Sequence, residues 1–229
     1  MLSAIILAAG KGQRLGGRIS KPLVKINNKP LINYSLEALS RHPGIDEIIV
    51  VYSRQNKKQI IQTIENCSFK KIKCFVIGGR RRQDSVYNGL KVVSQKNDWV
   101  LIHDSARPFI DSRYITRVIQ GAKKTGAAIL GVPVKATVKS VRCGRLVYKT
   151  VDRSNLWEIQ TPQVFKKQLI VKACEKYREE NVTDDASLVE KLGNRVKIVE
   201  GSYHNIKITT GVDLCLAQLI AKGFKKNAI

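Results

Sequence analysis

The stretch AIILAAGKGQRLGG, residues 4–17, carries the densest chemical signal in the chain. An apolar run that breaks into glycines is a natural phosphate cradle, because backbone N–H groups can approach an anion without side-chain interference. Spacing excludes two nucleotide motifs. The dinucleotide fingerprint needs G-x-G-x-x-G, but Gly10 and Gly12 are followed by Gly16, one residue late. The acidic residue expected about 20 positions further on is also missing, since 26–30 reads INNKP. A P-loop needs Ser or Thr after its Gly-Lys pair, and Gly10-Lys11 is followed by Gly12. What remains is a loop bearing Lys11, Arg14 and Lys21, with Ala8, Ala9 and Gly10 small enough for a flat base to lie against the backbone. A glycine turn with solvated basic residues is the alternative. Lys21 precedes Pro22, which favours an extended backbone there.

A second chemical candidate is Asp104, directly after the apolar run 100–103. Open α/β sheets place ligand chemistry at the carboxyl ends of parallel strands. Mg²⁺ commonly uses one or two carboxylates and completes its shell with phosphate oxygens and water, so one aspartate is enough. Capping of the next segment is the competing role for Asp104. Asp84 and Ser85, after the run Arg80-Arg81-Arg82, could likewise simply begin a helix.

These residues need a scaffold, and the hydrophobic pattern supplies one. Short apolar runs at 3–8, 47–52, 72–77, 99–103 and 127–134 read as strands. Amphipathic patterns at 31–41, 57–65, 84–93, 112–124, 167–179, 184–192 and 212–222 read as helices. Continuous Val/Ile/Leu strands separated by helices predict a Rossmann-like α/β fold, a mostly parallel twisted sheet with helices on both faces. One segment breaks the alternation. Residues 137–151, TVKSVRCGRLVYKTV, are β-rich around the turn Arg142-Cys143-Gly144-Arg145 and read as a hairpin arm. A surface ornament and an arm reaching a second subunit are both open at this point. No repeat, low-complexity tract or linker divides the chain, which reads as one domain, 1–229, with the arm inside it.

With 229 residues the chain can bury a sizeable core, and its 43% apolar content is ordinary. The formal charge of +23 is not, and it calls for an anionic partner: nucleic acid, a membrane surface or phosphorylated small molecules. The basic residues are scattered along the chain and aromatics make up only 6%, a poor supply for base stacking, so no nucleic acid is expected. No stretch approaches membrane-spanning length. Five cysteines, Cys67, Cys74, Cys143, Cys174 and Cys215, form an odd set without C-x-x-C spacing. That argues against a disulfide framework or zinc site and for a reducing, cytoplasmic compartment, or a plastid stroma if a transit peptide has been removed.

The pattern L-A-A-G-x-G-x-R-L followed by S-K-P-L resembles the signature loop of nucleotidyltransferases that activate sugars. GGRRRQDSV (78–86), WVLIHDSARPF (99–109), VPVKATVK (132–139), TVDRSNLWEIQTPQVF (150–165), TDDAS (183–187) and NIKIT (205–209) follow in order. Together they resemble the 2-C-methyl-D-erythritol 4-phosphate cytidylyltransferases of the non-mevalonate isoprenoid pathway. The resemblance implies transfer of CMP from CTP to that sugar-alcohol phosphate with release of pyrophosphate, and a divalent cation such as Mg²⁺. A ribitol 5-phosphate cytidylyltransferase is the related alternative, and a basic nucleic-acid-binding protein the unrelated one.

Residue by residue, the resemblance implies that Arg14 and Lys21 stabilise the pentavalent transition state. It implies nucleotide contacts from the loop residues Ala8, Ala9, Gly10 and Gly12 and from Gly79, Arg82 and Ser85. It makes Asp104 the metal ligand and gives Arg107, Thr137, Arg153 and Lys207 to the acceptor phosphate. Arms that embrace across a homodimer would let Arg153 serve the partner's site. Family members commonly carry an acidic residue before Thr137, where this chain has Ala136. Arg80 and Arg81 could help hold phosphates or form a solvated charge run, and the second is the expectation. Trp157 and the turn at 160–163 are expected to be structural.

Overall fold

The computed structural model describes residues 1–10, 12 and 20–226, apart from the side chains of 224–226. Its centre is a seven-stranded sheet among the described residues. Four parallel strands form one half: β1 (Leu2–Ala8), β4 (Glu47–Tyr52), β5 (Ile72–Ile77) and β6 (Trp99–Asp104). β7 (Ala127–Pro133), β10 (Trp157–Lys166) and β11 (Lys197–Glu200) complete it in the order β11-β7-β10-β6-β1-β4-β5. β10 runs antiparallel to both β6 and β7, and β11 runs parallel to β7. The expected mostly parallel sheet is therefore present, with one antiparallel strand inside it.

The strands are apolar at successive positions because both faces are covered. Ala4, Ile6 and Ala8 of β1 point to one face. There they meet Ile32, Leu36 and Leu39 of α1 (Leu31–Arg41), Ile60 and Ile64 of α2 (Lys57–Glu65), and Ile115 and Val118 of α4 (Ser112–Thr125). Ile5 points to the other face. It joins Val86 and Leu90 of α3 (Arg82–Leu90), Ile170 and Ala173 of α5 (Lys167–Lys176), and Leu188 and Val189 of α6 (Ala186–Lys191). α4 shows how its bounds arise. Asp111 accepts a hydrogen bond from the Arg113 N–H at its start, and Gly126 takes φ 85° at its end, a conformation open to glycine.

α7 (Gly211–Lys226) packs Ala217 and Ala221 against Ile26, Leu31, Phe109 and Ile208. A two-residue hairpin, β2 (Lys25–Ile26) and β3 (Lys29–Pro30), turns through Asn27 and Asn28 at positive φ. The arm is a separate antiparallel pair, β8 (Val138–Val141) and β9 (Val147–Val151), closed by a turn at Cys143–Arg145 in which Gly144 and Arg145 take positive φ. Its residues 141–150 are all exposed. All five cysteines are free thiols.

Three local expectations are corrected. Residues 160–163 are not a turn. They lie inside β10, where the register against β7 shifts between Gln160 and Gln163 around a cis Thr161–Pro162 bond. Lys21 is not extended. It opens a 3₁₀ turn, Lys21–Leu23, closed by N–H bonds from Leu23 to the Ser20 carbonyl and from Val24 to that of Lys21. α3 begins at Arg82, two residues before the predicted start, because the Asp84 carboxylate accepts the Arg81 backbone N–H and caps the first turn.

Candidate active site

β1, β4, β5 and β6 are parallel, so the loops leaving their carboxyl ends gather on one edge of the sheet. β1 sits where strand order changes direction, with β4 and β5 on one side and β6 on the other. Open α/β sheets bind ligands at such a switch point. A 740 Å³ cleft opens there. Ala9, Gly10, Gly12 and Lys21 line it from the first loop, Ser53 and Gln55 from the second, Gly79 and Arg82 from the third, and Asp104 from the end of β6. Lys207 closes the far wall.

Gly12 stands at φ +68°, and a Cβ on it would lie 3.1 Å from the Cβ of Lys21 and 3.2 Å from its amide nitrogen. Both the backbone conformation and the close approach require glycine. Gly12→Ala is expected to lower kcat/KM about tenfold or more, read by steady-state kinetics, with the thermal midpoint lowered by a few degrees. In the third loop, a Cβ on Gly79 would lie 2.2 Å from that of Asp84. The buried Ser85 hydroxyl accepts the Gly79 N–H at 3.1 Å and donates to the Arg81 carbonyl at 3.2 Å. Ser85 thus shapes this loop.

Asp104 is 7% exposed, with cations on both oxygens. Arg82 Nε donates to Oδ1 at 3.2 Å, and Lys207 Nζ lies 2.7 Å from Oδ2. Burial alone would raise this carboxyl. Arg82 and Lys207, with Arg107 nearby, more than offset that and hold it well below the usual carboxylate range. Arg82 also donates from Nη1 to the buried Asp185 at 2.8 Å and so bridges two carboxylates.

The backbone of Asp104 is fixed by its neighbours. Its N–H donates to Thr161 Oγ1 at 3.1 Å, and that hydroxyl lies 3.1 Å from Nδ1 of the buried His103. His103 Nε2 lies 3.0 Å from the Arg107 carbonyl, which can only accept, so Nε2 carries the proton and Thr161 donates to Nδ1. Burial pushes the imidazole down to about 4, which keeps it neutral. Asn205 plays the same part for Lys207, two residues on, by donating to the Thr161 carbonyl at 2.9 Å and to Gln160 Oε1 at 3.2 Å.

An adjoining 450 Å³ cavity shares Arg82, Asp104 and Lys207 as its wall, and Arg107 lines it. The Arg107 guanidinium donates to the Asn205 carbonyl at 2.8 Å and the Ile159 carbonyl at 3.2 Å, and so anchors the floor between the cavities. Thr137 and Arg153 flank the arm, both exposed, and line neither cavity. Arg153 Nη1 donates to the Lys135 carbonyl across the base of the arm. Arg14 and Lys11 lie outside the described residues.

Arg81 corrects another expectation. It is not a solvated charge. Its guanidinium binds Asp84 at 2.7 Å and the carbonyls of Arg178 at 2.7 Å and Glu180 at 3.1 Å. Arg80 is exposed at the rim. Asp185, Thr161 and Asn205 sit in the quoted motifs TDDAS, QTPQ and NIKIT, yet only their tertiary partners reveal what they do.

Residues 2–223 match the family described as IspD: 2-C-methyl-D-erythritol 4-phosphate cytidylyltransferase. The chain belongs to the IspD family. Among its relatives, a 2-C-methyl-D-erythritol 4-phosphate cytidylyltransferase of Clostridium botulinum strain Langeland is 44% identical over 220 residues, covering 95% of this chain and 96% of that one. One of Clostridioides difficile strain 630 is 42% identical over 232 residues, covering 100% of this chain and 97% of the relative. The crystal structure of the 4-diphosphocytidyl-2C-methyl-D-erythritol synthase of Anaerococcus prevotii superposes with a TM-score of 0.86 at 34% identity, covering 97% of this chain and 96% of that one. IspD membership thus extends over the sheet, the cleft and the arm alike.

Proposed function

We propose that this cleft transfers CMP from CTP to 2-C-methyl-D-erythritol 4-phosphate in isoprenoid biosynthesis. An oxygen of the acceptor phosphate bonds to the α-phosphorus of CTP, and the bond to the bridging oxygen of the β-phosphate breaks, releasing pyrophosphate. The observation that carries the reading is the convergence of Lys21, Lys207 and Asp104 on one cleft at the switch point of an IspD fold. Both reactants are anions, so the protein must suppress repulsion and hold an in-line geometry.

The roles follow from position. Ala9, Gly10, Gly12 and Gly79 give the nucleotide bare backbone, with Ser85 shaping the Gly79 loop, whereas Ala8, expected among the nucleotide contacts, is buried in the sheet core with its carbonyl bonded to Asn56. Lys21 faces charge growing at the α-phosphate, and for Arg14, outside the described residues, the same role rests on the match to the family's signature loop alone. Lys207 takes the acceptor phosphate, and Arg107 anchors the floor beneath it. Arg82 holds Asp104 and Asp185 beside the nucleotide. Thr137 and Arg153, which line neither cavity of their own chain, reach a neighbour's acceptor through the arm of a homodimer. Val141, Leu146, Val147 and Tyr148 leave that arm an exposed apolar surface for a partner to cover. The described helices include none long and apolar enough to cross a membrane, and the free thiols suit the cytoplasm.

Among the described residues no three His, Cys, Asp or Glu side chains are placed to hold a metal ion together. The one carboxylate at the cleft, Asp104, suits a divalent cation that takes its other ligands from phosphate and water. When bound, such an ion supplies neutralising charge and a template for the phosphate oxygens. A pyrophosphate-release assay tests the reading. CTP with 2-C-methyl-D-erythritol 4-phosphate and Mg²⁺ is expected to turn over, and ATP or ribitol 5-phosphate in their places to fall at least about 100-fold short. Full activity in excess chelator, or equal use of ATP, would contradict it.

A further inference from the structure

We infer that Asn56 is a positioning residue for the transfer: it ties together the two ends of the glycine-rich loop and so fixes where Lys21 stands in the cleft. The inference rests on the reading of the cleft as a cytidylyltransferase site. Asn56 lies outside the loop and ends the 3₁₀ turn Arg54–Asn56 that follows β4. It is 1% exposed. Its Nδ2 donates to the Ala8 carbonyl at 2.9 Å and to Ser20 Oγ at 2.7 Å. Its Oδ1 accepts the Ser53 N–H at 2.8 Å.

One amide nitrogen has two protons to give, and both are used at the loop's ends. Ala8 is the last residue of β1, where the chain leaves the sheet. Ser20 is the residue before Lys21, where the chain returns and enters the 3₁₀ turn. The amide therefore bridges departure and return, while its oxygen ties both to Ser53, which lines the cleft beside Gln55. A buried polar side chain is costly unless fully paired, and an apolar residue would fill the same space without that requirement. The pairing made here has a direction, because it sets the backbone that carries Lys21 against Gly12. Misplacing a charge of this kind by about 1 Å is enough to cost about 100-fold in rate.

The test uses full-length variants in the pyrophosphate-release assay, with thermal midpoints measured alongside. Ser20→Ala removes the acceptor at the returning end alone. It should lower kcat roughly fivefold, the worth of one net hydrogen bond, with the thermal midpoint lowered by no more than about 4 °C and KM for CTP within about threefold. Ser20→Thr keeps the hydroxyl and should restore kcat. Asn56→Ala should lower kcat about 100-fold. The double variant should be no slower than Asn56→Ala, since the shared bond is already gone. Wild-type kcat in Ser20→Ala, or double-variant losses equal to the product of the single ones, overturns the inference. If Asn56→Ala does not fold, the two Ser20 variants decide alone. An inactive wild-type chain overturns the cytidylyltransferase reading and the inference with it. An active wild type beside an unaffected Ser20→Ala overturns the inference only.

Discussion

Lys21→Ala is expected to lose at least about 100-fold in kcat, with KM for CTP changed by no more than about threefold. The expectation comes from how the structure holds this residue. Lys21 lines the cleft, opens a 3₁₀ turn whose second residue is Pro22, and has Gly12 packed on its backbone. A merely solvated lysine needs none of this. A rigidly held cation contributes most where charge grows during reaction, at the oxygens around the α-phosphorus, because no reorganisation is required at that moment. On the proposed reading ground-state CTP would draw on the backbone of Ala9, Gly10, Gly12 and Gly79, so binding is expected to survive the substitution better than turnover. The measurement is steady-state kinetics with CTP varied at saturating acceptor, on protein with a wild-type thermal midpoint. Near-normal kcat with a large rise in KM would reassign Lys21 to holding the bound nucleotide.

The parts of this fold that were readable in the sequence share a physical cause. β1, β4 and most of β6 are apolar at successive positions because helices cover both faces, so their runs stand out. The start of α1 is punctuated by Pro30 and both ends of α4 by Asp111 and Gly126, residues whose chemistry is local. β10 was hidden for the opposite reason. Its centre reads Gln160, Thr161, Pro162, Gln163, which looks like a turn. These polar side chains are buried because they have partners far along the chain: Thr161 with Asp104 and His103, Gln160 with the Ser202 carbonyl, Gln163 with Asp184. A buried polar residue is acceptable once bonded, and sequence does not display the bond. β11 was missed because it is short and mostly exposed at an edge.

The site divides in the same way. Asp104 was legible because it ends an apolar strand, and the glycine loop because its composition is unusual. Arg81 looked like one charge in a run of three, yet its carbonyl partners Arg178 and Glu180 lie near the end of α5, far away in sequence. Asp185 beneath Arg82, and Asn56 beneath the glycine loop, likewise do their work through contacts that only folding creates.

Mixing Arg153→Ala chains with Lys21→Ala chains is expected to restore activity that neither variant has alone. Arg153 lies just past β9 and is exposed, and it lines neither cavity of its own chain. An arginine suited to bidentate phosphate recognition is of little use there unless the arm delivers it elsewhere. The arm is ill-suited to standing alone. A lone two-stranded hairpin is marginal in water, and this one leaves Leu146 72% and Val147 61% exposed. A closed twofold arrangement would cover both arms reciprocally and carry each Arg153 to the other subunit's acceptor site. In a mixed dimer one site then holds both defects and the other neither. With equal amounts and complete exchange, half the dimers are mixed and on the order of a quarter of all sites are intact, so roughly that share of wild-type activity should return. If each chain instead built a complete site of its own, every site would keep one defect and mixing would recover nothing. Exchange is verified by tagging one variant and measuring the untagged chain it captures. A monomer by light scattering, or no recovery despite verified exchange, would confine Arg153 to its own subunit.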